Sequence, residues 1–456
     1  MKTTGGMKAL SLTLLIFVSI LFCGATLAAQ EQPTAASGSA TPTQTAAPQP
    51  AASQPTQRIV TSYTLPPDLY KKAHDLNRIH FRFNLISFFY GLLVLWLVLR
   101  LRLSAKYRDW AEAASSRRFL QAAVFSPLLI LTTAVLGLPA DVYEETVSRN
   151  YGISIQSWGS WIWDWAKGQF IGIILGTILI WILYTVIRKS ARRWWFYFWL
   201  VSLPIGVFLI FLTPLVIDPM FHKFEALQQK DPGLTASLEQ MVQHAGKNIP
   251  PERMFWMGAG EKTTSLNAYV TGIGASKRIV VWDTTIAKMN TPQIVYVTGQ
   301  EMGHYVLSHI PKGLAFGAVG GLVLFYLGYC TVGSLLRRNS ASWGIRDIDD
   351  LASLPVLLLL LSIFGFVAGP ISNAFSRYQE HQADQYGLEV THGLTPDSSQ
   401  IAAQAFQVLG EVGLSDPDPS PVNVFLFYNH PAISDRVRFA LDYNPWASGG
   451  HGEFFK

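Results

Sequence analysis

Six stretches of this chain, residues 85–99, 119–138, 170–187, 194–217, 314–336 and 351–371, are almost purely apolar. Most approach the length of about 20 residues that a helix needs to cross a bilayer. In that setting every backbone N–H and C=O must be satisfied within the segment, so each run is expected to be a helix. The first run is short, but Arg100 and Arg102 at its end can reach back to the interface. Pro204, Pro214 and Pro355 are expected to kink the runs that hold them rather than break them. Half the residues are hydrophobic and only 14% are charged, which excludes an ordinary soluble domain. The runs carry almost no charge between their ends, which argues against a channel or transporter. No aromatic-basic stretch suggests a nucleic-acid surface. The two cysteines, Cys23 and Cys330, lie in separate apolar runs, so no disulfide is expected.

Residues 1–29 read as a signal peptide or first transmembrane helix, with Lys2 and Lys8 before an apolar run that ends in small residues. Residues 30–57, rich in Ala, Pro, Thr and Gln, read as a disordered linker. Residues 58–217 then hold four spans, and 218–456 form a polar region interrupted by two more. Arg100, Arg102, Lys106, Arg108, Arg117 and Arg118 follow the first span, and Arg188, Lys189, Arg192 and Arg193 precede the fourth. The positive-inside rule puts both loops in the cytoplasm. Counting crossings from there places 218–312, and everything after Ser372, on the extracytoplasmic side. The expected product is a multi-pass integral membrane protein, mainly α-helical.

Within the polar region, TPQIVYVTGQEMGHYVLSH (291–309) has helical spacing, with Thr291 as N-cap and Pro292 in the first turn. Gln300, Glu301 and His304 then look into one space. This is the layout of a zinc-protease helix, in which two histidines one turn apart hold the metal and a glutamate serves as base. Gln300 stands where the first histidine belongs. SLNAYVTG (265–272) and RIVVW (278–282) read as strands, separated by a turn at Gly274 and Ala275. NAFSRYQEHQADQYG (373–387) reads as a helix with Glu380 and Asp384 one turn apart. One of the pair can bind a metal while the other supports it. Taken alone, such a pair is more often a solvated face.

The order of these parts is more specific than any one of them. SLNAYVTG with KRIVVWDTT, GQEMGHYVLSH, NAFSRYQEHQAD and NHPAISDR together resemble the membrane zinc metalloproteases of the M48 type, in particular the Ste24-like CAAX prenyl protease branch. The resemblance covers residues 63–436 and implies a polytopic helical fold with an inserted zincin-like (gluzincin) catalytic region and a short β-sheet. It implies one Zn2+ ion, with His304 and Glu380 as ligands, Gln300 at the third ligand position and Asp384 supporting them. Glu301 would be general base, activating zinc-bound water for peptide-bond hydrolysis. His430 would act in catalysis, and Asn267, Ala268 and Arg436 would hold the substrate. The partners implied are a peptide or protein substrate and the lipid bilayer. Prenylated C-terminal motifs are the substrate the resemblance suggests, whereas the outward orientation argues against them.

The departure at Gln300 leaves three arrangements open. Gln300 can ligate through its neutral amide oxygen, a poorer donor than imidazole. His304 and Glu380 can instead recruit another group such as His430. Or the chain has given up hydrolysis and kept peptide binding, as a pseudoprotease. His309, five residues beyond His304 on the same helix, is expected to point roughly 140° away from it.

Overall fold

The computed structural model of the chain describes residues 59–272 and 276–456. The signal-like run over 1–29, the linker over 30–57 and the turn at Gly274 and Ala275 lie outside them. Four spanning helices come first: α1 (Pro67–Arg100), α3 (Arg118–Asn150), α4 (Trp158–Lys189) and α5 (Trp194–Leu212), with α2 (Leu103–Ala114) between α1 and α3. Pro204 is held within α5, whereas Pro214 falls in a π-helical turn, Thr213–Ile217, through which the span continues to Phe221. Six helices in all, among the described residues, are long and apolar enough to cross a membrane. Each outruns its apolar stretch. The 34 residues of α1 extend about 51 Å, well beyond a hydrocarbon core of about 30 Å.

Charged side chains sort the two ends of the bundle. At one end Arg108 pairs with the buried Asp350, and Arg102 donates to the carbonyls of Ala341 and Ser342 at 2.9 Å each. Arg188 reaches the carbonyl of Asp349 at this same end. The two basic loops are thus gathered together. At the start of α4, buried Asp164 accepts from Lys262 at 2.7 Å, Lys167 at 2.8 Å and Gln156 at 2.6 Å. Lys262 belongs to the polar region, so this cluster ties that region to the opposite end of the bundle.

The polar region is built on a sheet of β1 (Lys223–Ala226), β2 (Met254–Gly258), β3 (Ala268–Thr271) and β4 (Arg278–Trp282), in the order β1-β2-β4-β3. Strand β4 pairs parallel with β2 and antiparallel with β3. The sequence places β4 correctly, but β3 is shorter than 265–272. Thr263 and Thr264, just before it, donate instead to the carbonyls of Ile153 and Gly152. Helix α6 (Pro232–His244), N-capped by Asp231, packs beside the sheet on a core that includes Leu238, Ile279, Val281, Ile294 and Phe406.

Helix α7 (Thr291–Val306) is the zinc-protease-like helix. Its N-cap is Asn290, in a capping box with Gln293, one residue earlier than the sequence suggests. A residue in the left-handed conformation, Ser308 (φ 58°), then breaks the chain direction, and α8 (His309–Trp343) begins. Helix α9 (Leu354–Thr391) runs unbroken from its membrane-length apolar half into the NAFSRYQEHQAD half. Pro355 sits in its first turn and Pro370 in its interior.

Helices α7 and α9 approach closely because glycines face the contact. A Cβ at Gly387 would stand 3.1 Å from the backbone of Gln300, and one at Gly303 would stand 3.1 Å from Tyr386. Gly387→Val is therefore expected to overpack the contact and cost about 1–3 kcal/mol. Gly320→Ala, where a Cβ meets nothing within 4 Å, is expected to be near neutral. Thermal unfolding in detergent, followed by tryptophan fluorescence, checks the contrast.

Candidate metal centre

The close approach sets Gln300 and His304 of α7 against Glu380 of α9, all three buried. His304 Nε2 lies 3.4 Å from Glu380 Oε1. Gln300 Nε2 donates to Glu380 Oε2 at 3.1 Å and lies 3.1 Å from His304 Nε2. His430, on the loop before α11 (Ile433–Asp442), brings its Nε2 to 3.3 Å from Glu380 Oε1. Its Nδ1 faces Asn429 Oδ1 at 2.9 Å. Half-buried Glu301 lies beside this group on α7 and acts electrostatically on His304.

Burial disfavours a charge on both imidazoles. At His430 burial prevails over the neighbouring Glu380, and its pKa falls to about 4. At His304 the Glu380 carboxylate, aided by Glu301, outweighs burial and raises the pKa to about 9. A metal ion would have to displace that proton, since a ligating imidazole must be neutral.

Two expectations change. His309 does not point away: the turn at Ser308 starts a new helix and brings His309 Nδ1 to 3.0 Å from His304 Nδ1. A continuous helix underlies the 140° expectation, and the left-handed residue invalidates it. Nothing in VLSH marks such a turn, because serine is not the residue that ordinarily adopts it. Arg436 lines the cavity beside His430, but its guanidinium is engaged within the protein. It is buried beneath the site and grips Asp384 in a two-pronged pair at 2.9 and 2.6 Å, with its guanidinium over Phe406. Asp384, one turn along α9 from Glu380, is thus taken up by Arg436.

Strand β3 lies at one edge of the sheet. Asn267 is buried, its N–H directed to Thr285 Oγ1 and its carbonyl accepting from Trp282 N–H. Main-chain groups alternate in direction along an antiparallel strand, so Ala268 and Val270 turn theirs to the open edge. Of Asn267 and Ala268, Ala268 is the one with main-chain groups to offer. Beside His430 a cavity of about 60 Å3, lined by Leu266, Leu409, Tyr428, Ile433 and Asp416, opens next to this edge.

Among the described residues, no three His, Cys, Asp or Glu side chains are arranged to hold a metal ion. The amide of Gln300, turned nitrogen-first, bridges the groups instead. Two separations nonetheless match those between zinc donors. Donors bonded at roughly 2.0–2.2 Å around tetrahedral zinc stand about 3.3–3.6 Å apart, and Glu380 Oε1 is 3.4 and 3.3 Å from the two imidazole nitrogens. His304 and Glu380 are placed as two donors, and Gln300 as it is turned supplies no third.

Comparison with known proteins agrees. Residues 54–223 match the CAAX prenyl protease N-terminal region of five membrane helices, and residues 228–444 match peptidase family M48. An uncharacterized metalloprotease of Bacillus subtilis, YhfN, is 40% identical over 74% of this chain and 77% of its own. The CAAX prenyl protease 1 of Saccharomyces cerevisiae is 25% identical over 71% of this chain and 72% of its own. The crystal structure of S. mikatae Ste24p superposes with a TM-score of 0.70 at 20% identity, covering 97% of this chain and 99% of that one. A polytopic helical membrane protein with a metallopeptidase site is the class these features define. The chain belongs to peptidase family M48, the metalloendopeptidases, in the group that carries the CAAX prenyl protease N-terminal region.

Because Arg436 and Asp384 are buried as a pair, removing one strands the other. Asp384→Ala is expected to cost about 3–5 kcal/mol. The double variant Asp384→Leu/Arg436→Met should recover much of that loss. Thermal midpoints of the single and double variants in detergent check it.

Proposed function

We propose that this chain is a zinc-dependent endopeptidase that cleaves peptide substrates close to the membrane surface. The observation that carries the reading is the convergence of His304 and Glu380, from two different helices, on one buried point with Glu301 beside it. His304 and Glu380 would be ligands. A zinc ion in such a site supplies Lewis acidity, acidifying water and polarising a scissile carbonyl. Glu301, half-buried and therefore reachable from the cleft, is placed to accept a proton and return it to the leaving amine. A substrate lying along β3 would pair with the free main chain of Ala268 and Val270, gaining affinity through backbone hydrogen bonds.

The location of the site narrows the substrate class. The apolar run of α9 ends at Ile371, and Glu380 lies nine residues further on the same helix, about 14 Å along its axis at 1.5 Å per residue. That depth suits peptides held at or near the lipid surface. The basic loops gathered at the far end of the bundle support an extracytoplasmic site by the positive-inside rule. An outward site favours exported peptides over prenylated ones, whatever the substrates of the relatives.

One observation favours a second reading. The Gln300 amide donates to Glu380 and contacts His304, which suits a pseudoprotease that binds peptides and leaves them intact. Metal analysis of the purified protein, run beside a peptidase assay, separates the two. The hydrolase reading expects about one zinc per chain, and Glu301→Gln should keep the zinc while activity drops about 100- to 10,000-fold. A chain that binds peptide but holds no zinc would establish the second reading.

A further inference from the structure

The stretch from Pro419 to Ser434 holds no Asp, Glu, Lys or Arg. Its first half folds into a short helix, Pro421–Phe427, N-capped by Ser420. One side of this helix is turned inward, where buried Asn423 donates to Asn77 Oδ1 of α1 at 2.7 Å. Val422 and Phe425, three residues apart and so neighbours on the other side, are each 58% exposed. Apolar side chains exposed singly need no explanation, but these two adjoin a larger apolar surface. On α9, Val367, Ile371 and Tyr378 recur at helical spacing and are more than half exposed.

Contacts with α9 set the depth of the short helix. Phe427 packs against Phe366, ring centroids 6.4 Å apart, and against Phe81 of α1 at 5.8 Å. Phe366 lies inside the apolar run of α9 that ends at Ile371. Beyond that end, Asn373 donates to the carbonyl of Leu426 at 2.7 Å. Arg377 donates to the carbonyl of Val424 at 3.1 Å and to that of Tyr428. Asn373 and Arg377 stand about 3 and 9 Å past Ile371 at 1.5 Å per residue. The headgroup layer on each side of the hydrocarbon is about 5–8 Å thick, so the short helix straddles that boundary. The same bonds satisfy carbonyls that a helix end leaves open and that water ordinarily takes. Where water is scarce, protein donors must do so.

We infer that the Val422–Phe425 face is a lipid-binding surface: the short helix dips into the bilayer and sets these two side chains among the acyl chains at the hydrocarbon boundary. The bilayer is the occupant because the face continues the exposed apolar surface of a spanning helix. The one cation between them, Arg377, is occupied by main-chain carbonyls. An interfacial helix buries its apolar side in this way, about 5–10 Å into the boundary. The loop Tyr428–Ala432 follows at once and lines the cavity beside strand β3. Dipping therefore holds that wall of the cavity at the lipid surface through an attachment separate from α9.

Nitroxide labelling of the full chain, reconstituted into phosphatidylcholine–phosphatidylglycerol vesicles, tests this. In a Cys23→Ser/Cys330→Ser background, single labels are placed at Val422→Cys and Phe425→Cys, with two references. Val367→Cys marks lipid. Ser448→Cys marks water, since nearby Trp446 stacks on His392, which lies about 32 Å past Ile371 at 1.5 Å per residue. The measured quantity is the collision rate with oxygen divided by that with a water-soluble nickel chelate. At Val422→Cys and Phe425→Cys it is expected to be several-fold above the Ser448→Cys value and close to that of Val367→Cys. A ratio equal to that of Ser448→Cys would put the face in water and overturn the inference. Low collision rates with both reagents would mean that protein covers the face, a second copy or another segment of this chain, and would overturn it equally. Thermal midpoints matching the background protein establish that the labelled variants are folded. Both side chains are exposed, so either position alone decides the outcome.

Discussion

The structure depends on how closely α7 can approach α9. Gln300 and Glu380 are 80 residues apart in the chain and meet at 3.1 Å. That distance requires backbones nearly in contact, which Gly299, Gly303 and Gly387 permit. Bulkier residues at those positions would hold the helices apart by about a side-chain width. His304 and Glu380 would then be two isolated polar groups in an apolar interior, each costly to bury. Around this contact, the Asp384–Arg436 pair fixes α11 to α9, and the Asp164–Lys262 pair fixes the sheet to the bundle.

Much of this was legible in the sequence. The apolar runs, separated by basic loops, gave the spans because hydrocarbon length and backbone satisfaction leave few alternatives. The α7 helix and the short β4 strand were legible from spacing alone. Glu380 and Asp384 were not secure from spacing, since two carboxylates one turn apart ordinarily face water. They became readable through the order of motifs. What escaped were features that depend on a single backbone torsion or on tertiary placement. Ser308 in a left-handed conformation returns His309 to His304, and nothing in its side chain announces that. Arg436 is a cation near a proposed catalytic site, and local sequence cannot tell whether it faces a substrate or a buried carboxylate.

Helix α9 joins two environments that other folds keep apart. Its apolar half is fixed in depth by the bilayer, and its polar half carries a proposed metal ligand, with no loop between them. The height of the site above the membrane is therefore set by helix rise, not by loop conformation. A soluble zinc peptidase docked to a membrane could tilt or withdraw, whereas this site cannot. On the proposed function, peptides presented at that height would meet β3 directly. The others must unfold or extend to reach it.

Gln300 also sets how readily metal enters. In its present position its amide N–H is satisfied by Glu380, and the buried carboxylate is satisfied in turn. Swinging the amide away strands that N–H unless water or another acceptor takes it up, at a cost of about 1–3 kcal/mol. A factor of ten in affinity corresponds to about 1.4 kcal/mol, so on the proposed zinc-dependent reading the glutamine would lower zinc affinity by roughly one to two orders of magnitude relative to a site with nothing to displace. The same bridge keeps His304 and Glu380 together whether or not metal is bound. A histidine at that position would donate a lone pair to zinc, but it would also add a third imidazole beside His304 and His430. The glutamine bridges α7 and α9 where the first histidine of a zinc helix would stand.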